Sequence, residues 1–360
     1  MRKLKKRFVI MIATLMYAIL EISAVYVYAE ERQESDIKRK KLLVAIDNSG
    51  SVDMLGDVIE EVLQVVSAFE KLEPEKLSVE YLQFNADGAE RKVFCNKSTL
   101  PMEEQIVSGE NAIEYRGETS VYKGVEEIGR WIDENKEEGE IGLLALSDFF
   151  SSRDQYGGRF SQKTAEREQR SINRWMAEWK KLIRNNCLNV LFIYWDSMTP
   201  GEDVNKTLDF WGASGNFNGG YQTELKGMAK NTHFVDEIHT GADINLEAER
   251  EIVEVSMCHI IKLITEERNI KWHSAGIIQQ PDMYVTIKVP KNKRILIRID
   301  KEGSKTGAKL LNSKNKNGDL METILEGRAI ELYYIKSPEN RVIKLQAEQE
   351  GGAVYYLMFP

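Results

Sequence analysis

The spacing of apolar residues changes near residue 270, and this change constrains the fold more than any other feature of the chain. Before it, short apolar runs such as residues 42–46 alternate with stretches whose apolar residues recur at helical spacing. After it, apolar residues occupy every second position, as in Val285, Ile287 and Val289. Alternating strands and helices predict a largely parallel sheet with helices on both faces, whereas short strands with a period of two predict antiparallel sheets.

The predicted fold is therefore a Rossmann-like, doubly wound α/β domain over residues 41–267, followed by a small all-β, Ig-like sandwich over residues 270–360. In the first domain we predict strands at residues 42–46, 77–84, 91–94, 141–147, 188–194 and 232–235, and helices at residues 55–69, 121–132, 172–183, 225–229 and 244–267. In the second we predict strands at residues 285–289, 295–299, 330–334, 343–347 and 354–359. Gly351-Gly352 is a two-residue turn signal, so the last strand is expected to return along its predecessor as a hairpin.

Residues 1–29 have the three parts of an export signal. A basic start at residues 1–7 precedes an apolar run at residues 8–20, and Val27-Tyr28-Ala29 provides a plausible cleavage site. The alternative is an uncleaved membrane anchor, but Glu21 and the shortness of the apolar run count against a spanning helix. We expect a secreted or extracytoplasmic protein, with membrane attachment only if this segment stays uncleaved. Residues 30–40 are highly charged and are predicted to form a linker.

Net charge and cysteine content exclude two classes of protein. The net charge of −8 becomes −12 without residues 1–29, and an acidic protein of this kind is not expected to bind nucleic acid. Three cysteines, Cys95, Cys187 and Cys258, are too few for a disulfide framework and lack metal-ligand spacing. They are either free thiols or include one bridge between two of them.

Oxygen-bearing side chains lie beside the ends of predicted strands or helices in three separate segments. Asp47-Asn48-Ser49-Gly50-Ser51 comes directly after the strand at residues 42–46, and Asp148 comes directly after the strand at residues 141–147. Gly117-Glu118-Thr119-Ser120 lies just ahead of a predicted helix. Ligands bind at the carboxyl edge of open α/β sheets, and hard oxygen donors suit Mg²⁺, Mn²⁺ or Ca²⁺. A local turn in which Asp47 bonds its own backbone is the simpler alternative.

In this order, the three segments resemble the von Willebrand factor A-type (vWA) domain and its metal-ion-dependent adhesion site. The resemblance covers roughly residues 40–267. It implies a site for Mg²⁺, or for Mn²⁺ or Ca²⁺, whose members occupy the five positions Asp47, Ser49, Ser51, Thr119 and Asp148. It also implies that a Glu or Asp carboxylate of a partner protein supplies the last ligand to the ion.

Two features near these positions differ from the usual pattern of the family. Glu118 stands where glycine is common, and its carboxylate would repel an acidic ligand or occupy the open position itself. Phe149 and Phe150 follow Asp148 where small or polar residues are common, and they would form an apolar rim. Ordinary packing is the alternative for both features.

A segment at residues 199–221 is rich in aromatic residues and glycine. Its aromatic residues are Phe210, Trp211, Phe217 and Tyr221. Aromatic side chains on an exposed loop are typical of recognition surfaces, so we hypothesise that this loop sets ligand specificity. A surface loop packed on itself is the alternative.

The predicted function is divalent-metal-dependent recognition of a protein or matrix ligand outside the cell. The alternative is a structural component of a cell-envelope or secretion assembly, in which the metal only stabilises the loop. An enzyme is not expected, because no general base accompanies the metal residues and the four histidines are scattered along the chain. A metal-dependent hydrolase therefore ranks last.

Overall fold

The computed structural model describes most of the chain beyond residue 38. The described residues are 39–85, 89–92, 113, 115, 121–147, 162–195, 232–235, 239–240, 243–265, 270–278, 283–301, 308–310, 321–337, 341–347 and 352–359. Residues 40–360 form one compact unit. Every described strand and helix belongs to this unit, Lys40–Pro360.

A six-stranded sheet forms the centre of the first part of this unit. Its strands are β1 (Lys40–Asp47), β2 (Leu77–Phe84), β3 (Ala89–Lys92), β4 (Ile141–Leu146), β5 (Leu188–Trp195) and β6 (Thr232–Val235). Their order across the sheet is β3-β2-β1-β4-β5-β6, with every neighbouring pair parallel except β2 and β3. The near-continuous apolar strands β1 and β4 lie at the middle, as expected for strands covered on both faces.

Among the described residues, four helices cover the two faces of this sheet. They are α1 (Gly56–Leu72), α2 (Val121–Asn135), α3 (Gln162–Arg184) and α4 (Leu246–Thr265). Helices α1 and α4 share one apolar core with one face of the sheet. Side chains of α2 and α3, such as Trp131 and Trp179, share a second core with the other face. The predicted doubly wound α/β fold is confirmed.

Two antiparallel sheets follow, after the short strands β7 (His239–Thr240) and β8 (Asp243–Ile244). Their strands are β9 (His273–Ile277), β10 (Tyr284–Val289), β11 (Lys293–Asp300), β12 (Ala308–Leu310), β13 (Met321–Glu326), β14 (Ile330–Ser337), β15 (Arg341–Ala347) and β16 (Ala353–Phe359). One sheet has the order β10-β15-β12 and the other β13-β14-β11-β16-β9. Alternate residues of both, including Ile287 and Ile297, meet in one core. The predicted antiparallel β region is confirmed.

The five-stranded sheet also packs against the α/β part through its opposite face. Leu296, Leu332 and Phe359 belong to the same buried cluster as side chains of α1 and α4. Helices α1 and α4 therefore lie between two sheets and are covered on both sides. Buried carboxylates accompany this contact: Glu73, the residue that follows α1, accepts a hydrogen bond from the Tyr334 hydroxyl at 3.0 Å and pairs with Arg294 at 2.9 Å.

The hairpin predicted at Gly351-Gly352 is wrong. Strand β15 pairs with β10 and β12, whereas β16 pairs with β11 and β9 in the other sheet. The chain thus crosses between sheets in this region. A Cβ atom at Gly352 would lie 1.4 Å from the backbone oxygen of Asp300, so this glycine allows a close backbone approach.

The sequence did not predict every strand, and some predictions fall on residues that the structure does not describe. The periodicity did not reveal β9, β12 and β13, and the helix predicted at residues 225–229 lies outside the described residues. Cys187 and Cys258 carry free thiols, so no bridge joins these two, while Cys95 is outside the described residues. Within the described part of the chain, no helix combines the length and apolar character needed to cross a bilayer.

Candidate functional site

The strand order of the six-stranded sheet reverses direction between β1 and β4. Successive strands run outward from β1 through β2 to β3 on one side, and from β4 through β5 to β6 on the other. In doubly wound sheets this reversal opens a crevice at the carboxyl ends of the two central strands, where ligands bind. Asp47 is the last residue of β1, and Ser147 directly follows β4. The topology therefore places both residues at this crevice.

Asp47 is fully buried and is held through both of its carboxylate oxygens. Its Oδ1 atom accepts a hydrogen bond from the backbone N–H of Ser49 at 2.9 Å, and its Oδ2 atom accepts one from the hydroxyl of Ser147 at 2.6 Å. The first bond is the local turn considered from the sequence. The second bond joins residues that are one hundred positions apart in the chain. A local turn at Asp47 would need only the first bond. The two bonds fix the orientation of the carboxylate.

The loop after Asp47 leads into helix α1 by way of a short 3-10 turn, Gly50–Leu55. The side chain of Ser49 is fully buried, and its carbonyl oxygen accepts the backbone N–H of Val52 at 3.1 Å. Ser51 lies within this turn, and its side chain is outside the described part. The turn keeps the serine-bearing loop beside the end of β1 before α1 begins.

Strand β2 supports the same loop with polar side chains. The backbone N–H of Asn48 donates to the carbonyl of Phe84 at 3.0 Å, and its side-chain amide donates to Gln83 at 3.4 Å. Gln83 and Asn85 are both buried at the end of this strand. The backbone bond to Phe84 is the shorter of the two and ties the loop to the end of β2.

Several carboxylates surround Tyr115, beside the loop that follows β1. Its ring packs 3.3 Å from the position of a Cβ atom on Gly56, at the start of α1. Burial raises the pKa of its phenol, and the nearby carboxylates Glu60, Asp53, Asp47 and Asp57 raise this pKa further. Several carboxylates thus act together on one point next to the loop, and such a negative field attracts cations.

Only part of the predicted metal site lies within the described residues. Asp47 and Ser49 are together at the end of β1. Thr119 and Asp148 lie outside the described residues, as do the predicted ligand-contacting residues Glu118, Phe149, Phe150, Phe210, Trp211, Phe217 and Tyr221. The meeting of the three segments at one ion therefore stays a prediction. Among the described residues, no group of three or more His, Cys, Asp or Glu side chains could hold a metal.

Asp47 and Ser49 are suitable as two of the ligands in a cation site built from oxygen donors. Asp47 supplies a carboxylate that hydrogen bonds hold in place, and Ser49 supplies a buried hydroxyl beside it. Carboxylate and hydroxyl oxygens are hard donors of the kind that Mg²⁺, Mn²⁺ and Ca²⁺ prefer.

Ser147 and Tyr115 have no role in the site predicted from the sequence. A signal for Ser147 was present: aligning the parallel strands β1 and β4 pairs Ile46 with Leu146, which sets Asp47 level with Ser147. No comparable signal exists for Tyr115, because its position depends on the path of a long connection between β3 and α2.

Comparisons with known proteins show only distant likeness. No family profile and no curated protein matches the sequence. The chain is similar in structure to the pilus adhesin SpaC from Lactobacillus rhamnosus GG, with 8% identity, 90% of this chain and 39% of that chain covered, and a TM-score of 0.41. It is also similar to manganese-loaded Plasmodium vivax TRAP protein, with 11% identity, coverage of 71% and 87%, and a TM-score of 0.35.

A further similar structure is the SpRpn10 VWA domain, with 12% identity, 60% of this chain and 95% of that chain covered, and a TM-score of 0.33. The chain spans about two fifths of the length of SpaC. All three TM-scores are below 0.5, so the α/β assignment depends on the strand order and connections within this protein.

Proposed function

We propose that this protein recognises a protein or matrix ligand outside the cell through a divalent cation bound at the crevice between β1 and β4. Asp47, Ser49, Ser51, Thr119 and Asp148 would hold the ion, which would be Mg²⁺, Mn²⁺ or Ca²⁺. The ion would supply an electropositive position that attracts a Glu or Asp carboxylate of the partner.

The observation that carries this proposal is the double anchoring of Asp47. A buried carboxylate at the end of the central strand is bonded on one side to the serine loop and on the other to the loop after β4. Asp148 is the residue that follows Ser147 in the sequence. The bond from Ser147 supports the proposed closeness of the two ligand-bearing segments, and the carboxylates acting on Tyr115 support the attraction of a cation.

Calorimetric titration of residues 30–360 with MgCl₂, MnCl₂ and CaCl₂ tests the metal site. We expect saturable uptake of one ion per chain, and we expect Ser49→Ala to weaken it. Ser67→Ala is the matched control, because Ser67 is a buried serine on α1 outside the loop. If the wild-type protein takes up none of these ions, the metal-dependent function is wrong.

The structural alternative is separated from recognition by measuring two properties of Ser49→Ala. Capture of partners from intact cells, with and without EDTA, reports recognition, and the thermal midpoint reports stability. Lost capture at an unchanged midpoint supports recognition. A lowered midpoint with unchanged capture supports a metal that only stabilises an envelope or secretion component.

The aromatic-rich loop has its own test. Deleting residues 209–220 should weaken partner capture while leaving metal uptake and the thermal midpoint unchanged, because these residues are proposed to contact only the partner. Unchanged capture would show that the loop does not set specificity.

A further inference from the structure

The three-stranded sheet β10-β15-β12 has one face in the sandwich core and one face turned away from it. On β10, Val285 and Ile287 are buried, whereas Tyr284, Thr286 and Lys288 are exposed. The antiparallel register pairs Thr286 with Lys344 and Lys288 with Val342, so these residues share the outward side. We call Tyr284, Thr286, Lys288, Val342 and Lys344 the outer face.

Two of the four most exposed large apolar side chains among the described residues lie on the outer face. Tyr284 is 55% exposed and Val342 is 50% exposed. The other large apolar side chains with comparable exposure among the described residues are Met283, which precedes β10, and Ile277 of β9, at 43% and 54%. Exposed apolar side chains interspersed with polar and charged ones are typical of protein–protein contact sites.

The same sheet is basic although the protein is acidic. Strands β10, β12 and β15 contain Lys288, Lys309, Arg341 and Lys344 and no Asp or Glu, whereas the whole chain has 57 acidic and 49 basic residues. The ammonium of Lys344 lies 4.8 Å above the ring of Tyr284, where the ring attracts it. A positive charge is thus held beside an exposed aromatic ring.

We propose that the outer face binds an acidic segment of a partner protein, separately from the proposed metal site. Carboxylates of the segment pair with Lys288 and Lys344, while its apolar side chains cover Tyr284 and Val342. Lys288 and Lys344 are diagonal neighbours, which places the two residues about 7–8 Å apart, so carboxylates of one extended segment reach both. A phosphate polymer would leave the apolar side chains in water, and the same face of a second copy would set lysine against lysine.

Binding of soluble polymers to residues 30–360 tests this proposal. A glutamate–tyrosine copolymer should bind in the presence of EDTA and more tightly than polyglutamate or polyphosphate, because only the copolymer supplies both carboxylates and apolar groups. Increasing salt should weaken this binding. If polyphosphate binds as tightly as the copolymer, the face is an unspecific polyanion site and the proposal is wrong.

Charge-reversal variants test whether the copolymer binds at the outer face. Lys288→Glu combined with Lys344→Glu should weaken copolymer binding about tenfold or more, and Tyr284→Ser should weaken it about threefold. Lys181→Glu combined with Lys271→Glu is the matched control, since both lysines are exposed and belong to none of the three strands. Equal losses in both double variants, at unchanged thermal midpoints, would overturn the proposal.

Two further outcomes separate this surface from the metal site and from self-association. Binding that disappears in EDTA or in Ser49→Ala would place the copolymer at the metal site and overturn the inference, while leaving the proposed function standing. Sedimentation should show a monomer. A dimer that Lys288→Glu combined with Lys344→Glu dissociates would identify the face as a contact between copies and overturn it too.

Discussion

At the scale of single residues, Asp47 is central because its carboxylate is buried and held by donors from two loops. The bond from Ser147 is short and ends on a charged group, and such bonds stabilise more than bonds between neutral groups. Removal of the donor leaves a buried carboxylate less well satisfied. The local geometry of the crevice therefore depends on a serine that ligates nothing in the proposed site.

Ser147→Ala should lower the free energy of unfolding by about 1–3 kcal/mol, measured by urea denaturation in EDTA. Ser67→Ala is the control, because the Ser67 hydroxyl has no hydrogen-bond partner within the described part of the protein. An equal, small change in both variants would show that the bond to Asp47 contributes no stability.

His259 connects stability to pH at the residue scale. Burial of this side chain of α4, reinforced by the charge of Lys262, lowers the pKa of its imidazole from 6.5 to about 3, although a hydrogen bond to the backbone of Leu143 opposes the shift. The imidazole of His259 therefore binds a proton more weakly in the folded state than in the unfolded chain. The contribution of the neutral His259 imidazole to stability is complete above pH 6.5 and is lost as the pH falls from 6.5 towards 3.

By linkage, His259 alone should lower the free energy of unfolding by about 2 kcal/mol between pH 7 and pH 5. His259→Gln should lack this part of the pH dependence, whereas His273→Gln, which changes an exposed imidazole, should retain it. The measurement is urea denaturation of all three proteins at both pH values. Identical pH dependence in His259→Gln and wild type would contradict the assignment.

At the scale of elements, two glycines of helix α2 allow close packing, Gly124 against the sheet and Gly129 against helix α3. A Cβ atom at Gly124 would lie 2.7 Å from the buried ring of Phe84, and one at Gly129 would lie 2.6 Å from Trp175. The helix therefore gives up intrinsic stability at two positions in exchange for close packing. It also begins two residues after Thr119, so its position bears on the proposed metal ligands.

Gly124→Ala should destabilise the protein by about 1–3 kcal/mol, even though alanine favours an isolated helix by about 1 kcal/mol, because overpacking at Phe84 outweighs helix propensity. Asp133→Ala, at an exposed position of the same helix, should change stability by less than about 1 kcal/mol. Chemical denaturation checks both. A stabilised Gly124→Ala would mean that Phe84 moves aside freely.

At the scale of the whole molecule, two buried glutamates connect the α/β part to the β part. Glu61 of α1 accepts the backbone N–H of Arg328 at 2.8 Å, and Glu249 of α4 accepts that of Ala329 at 3.1 Å. Lys301 donates to the carbonyl of Gly327 in the same turn at 2.8 Å. Burial, and next the charge of Glu249, raises the pKa of Glu61 from 4.5 to about 7.

The raised pKa of Glu61 means that the folded protein binds a proton more tightly than the unfolded chain. The associated stability is present below pH 4.5 and is lost as the pH rises through 7. Wild type should therefore lose about 2–3 kcal/mol relative to Glu61→Gln between pH 5 and pH 8. Urea denaturation at both pH values measures this difference.

Glu75→Gln, at an exposed position just after α1, is the control and should follow wild type. Glu61→Gln keeps an oxygen that accepts the Arg328 N–H, so it tests the charge and not the hydrogen bond. Parallel pH dependence in wild type and Glu61→Gln would show that Glu61 is already ionised at pH 5.

The local pattern of apolar residues determined most of the strands and helices of the α/β part. Apolar runs and helical spacing predicted the central strands and helices, because burial on one or two faces requires those periods whatever the neighbours are. The predicted strands at residues 77–84 and 232–235 match β2 and β6 at both ends. The position of Asp47 at a strand end likewise followed from the sequence alone.

Only the tertiary structure decided which elements meet. The strands on either side of Gly352 belong to different sheets, and a turn signal says nothing about partners chosen by distant strands. The bond from Ser147 to Asp47, the depth of Glu61 and His259, and the second sheet covering α1 and α4 all arise between residues far apart in the chain. Sequence periodicity specifies which face of an element is buried, and packing decides what buries it.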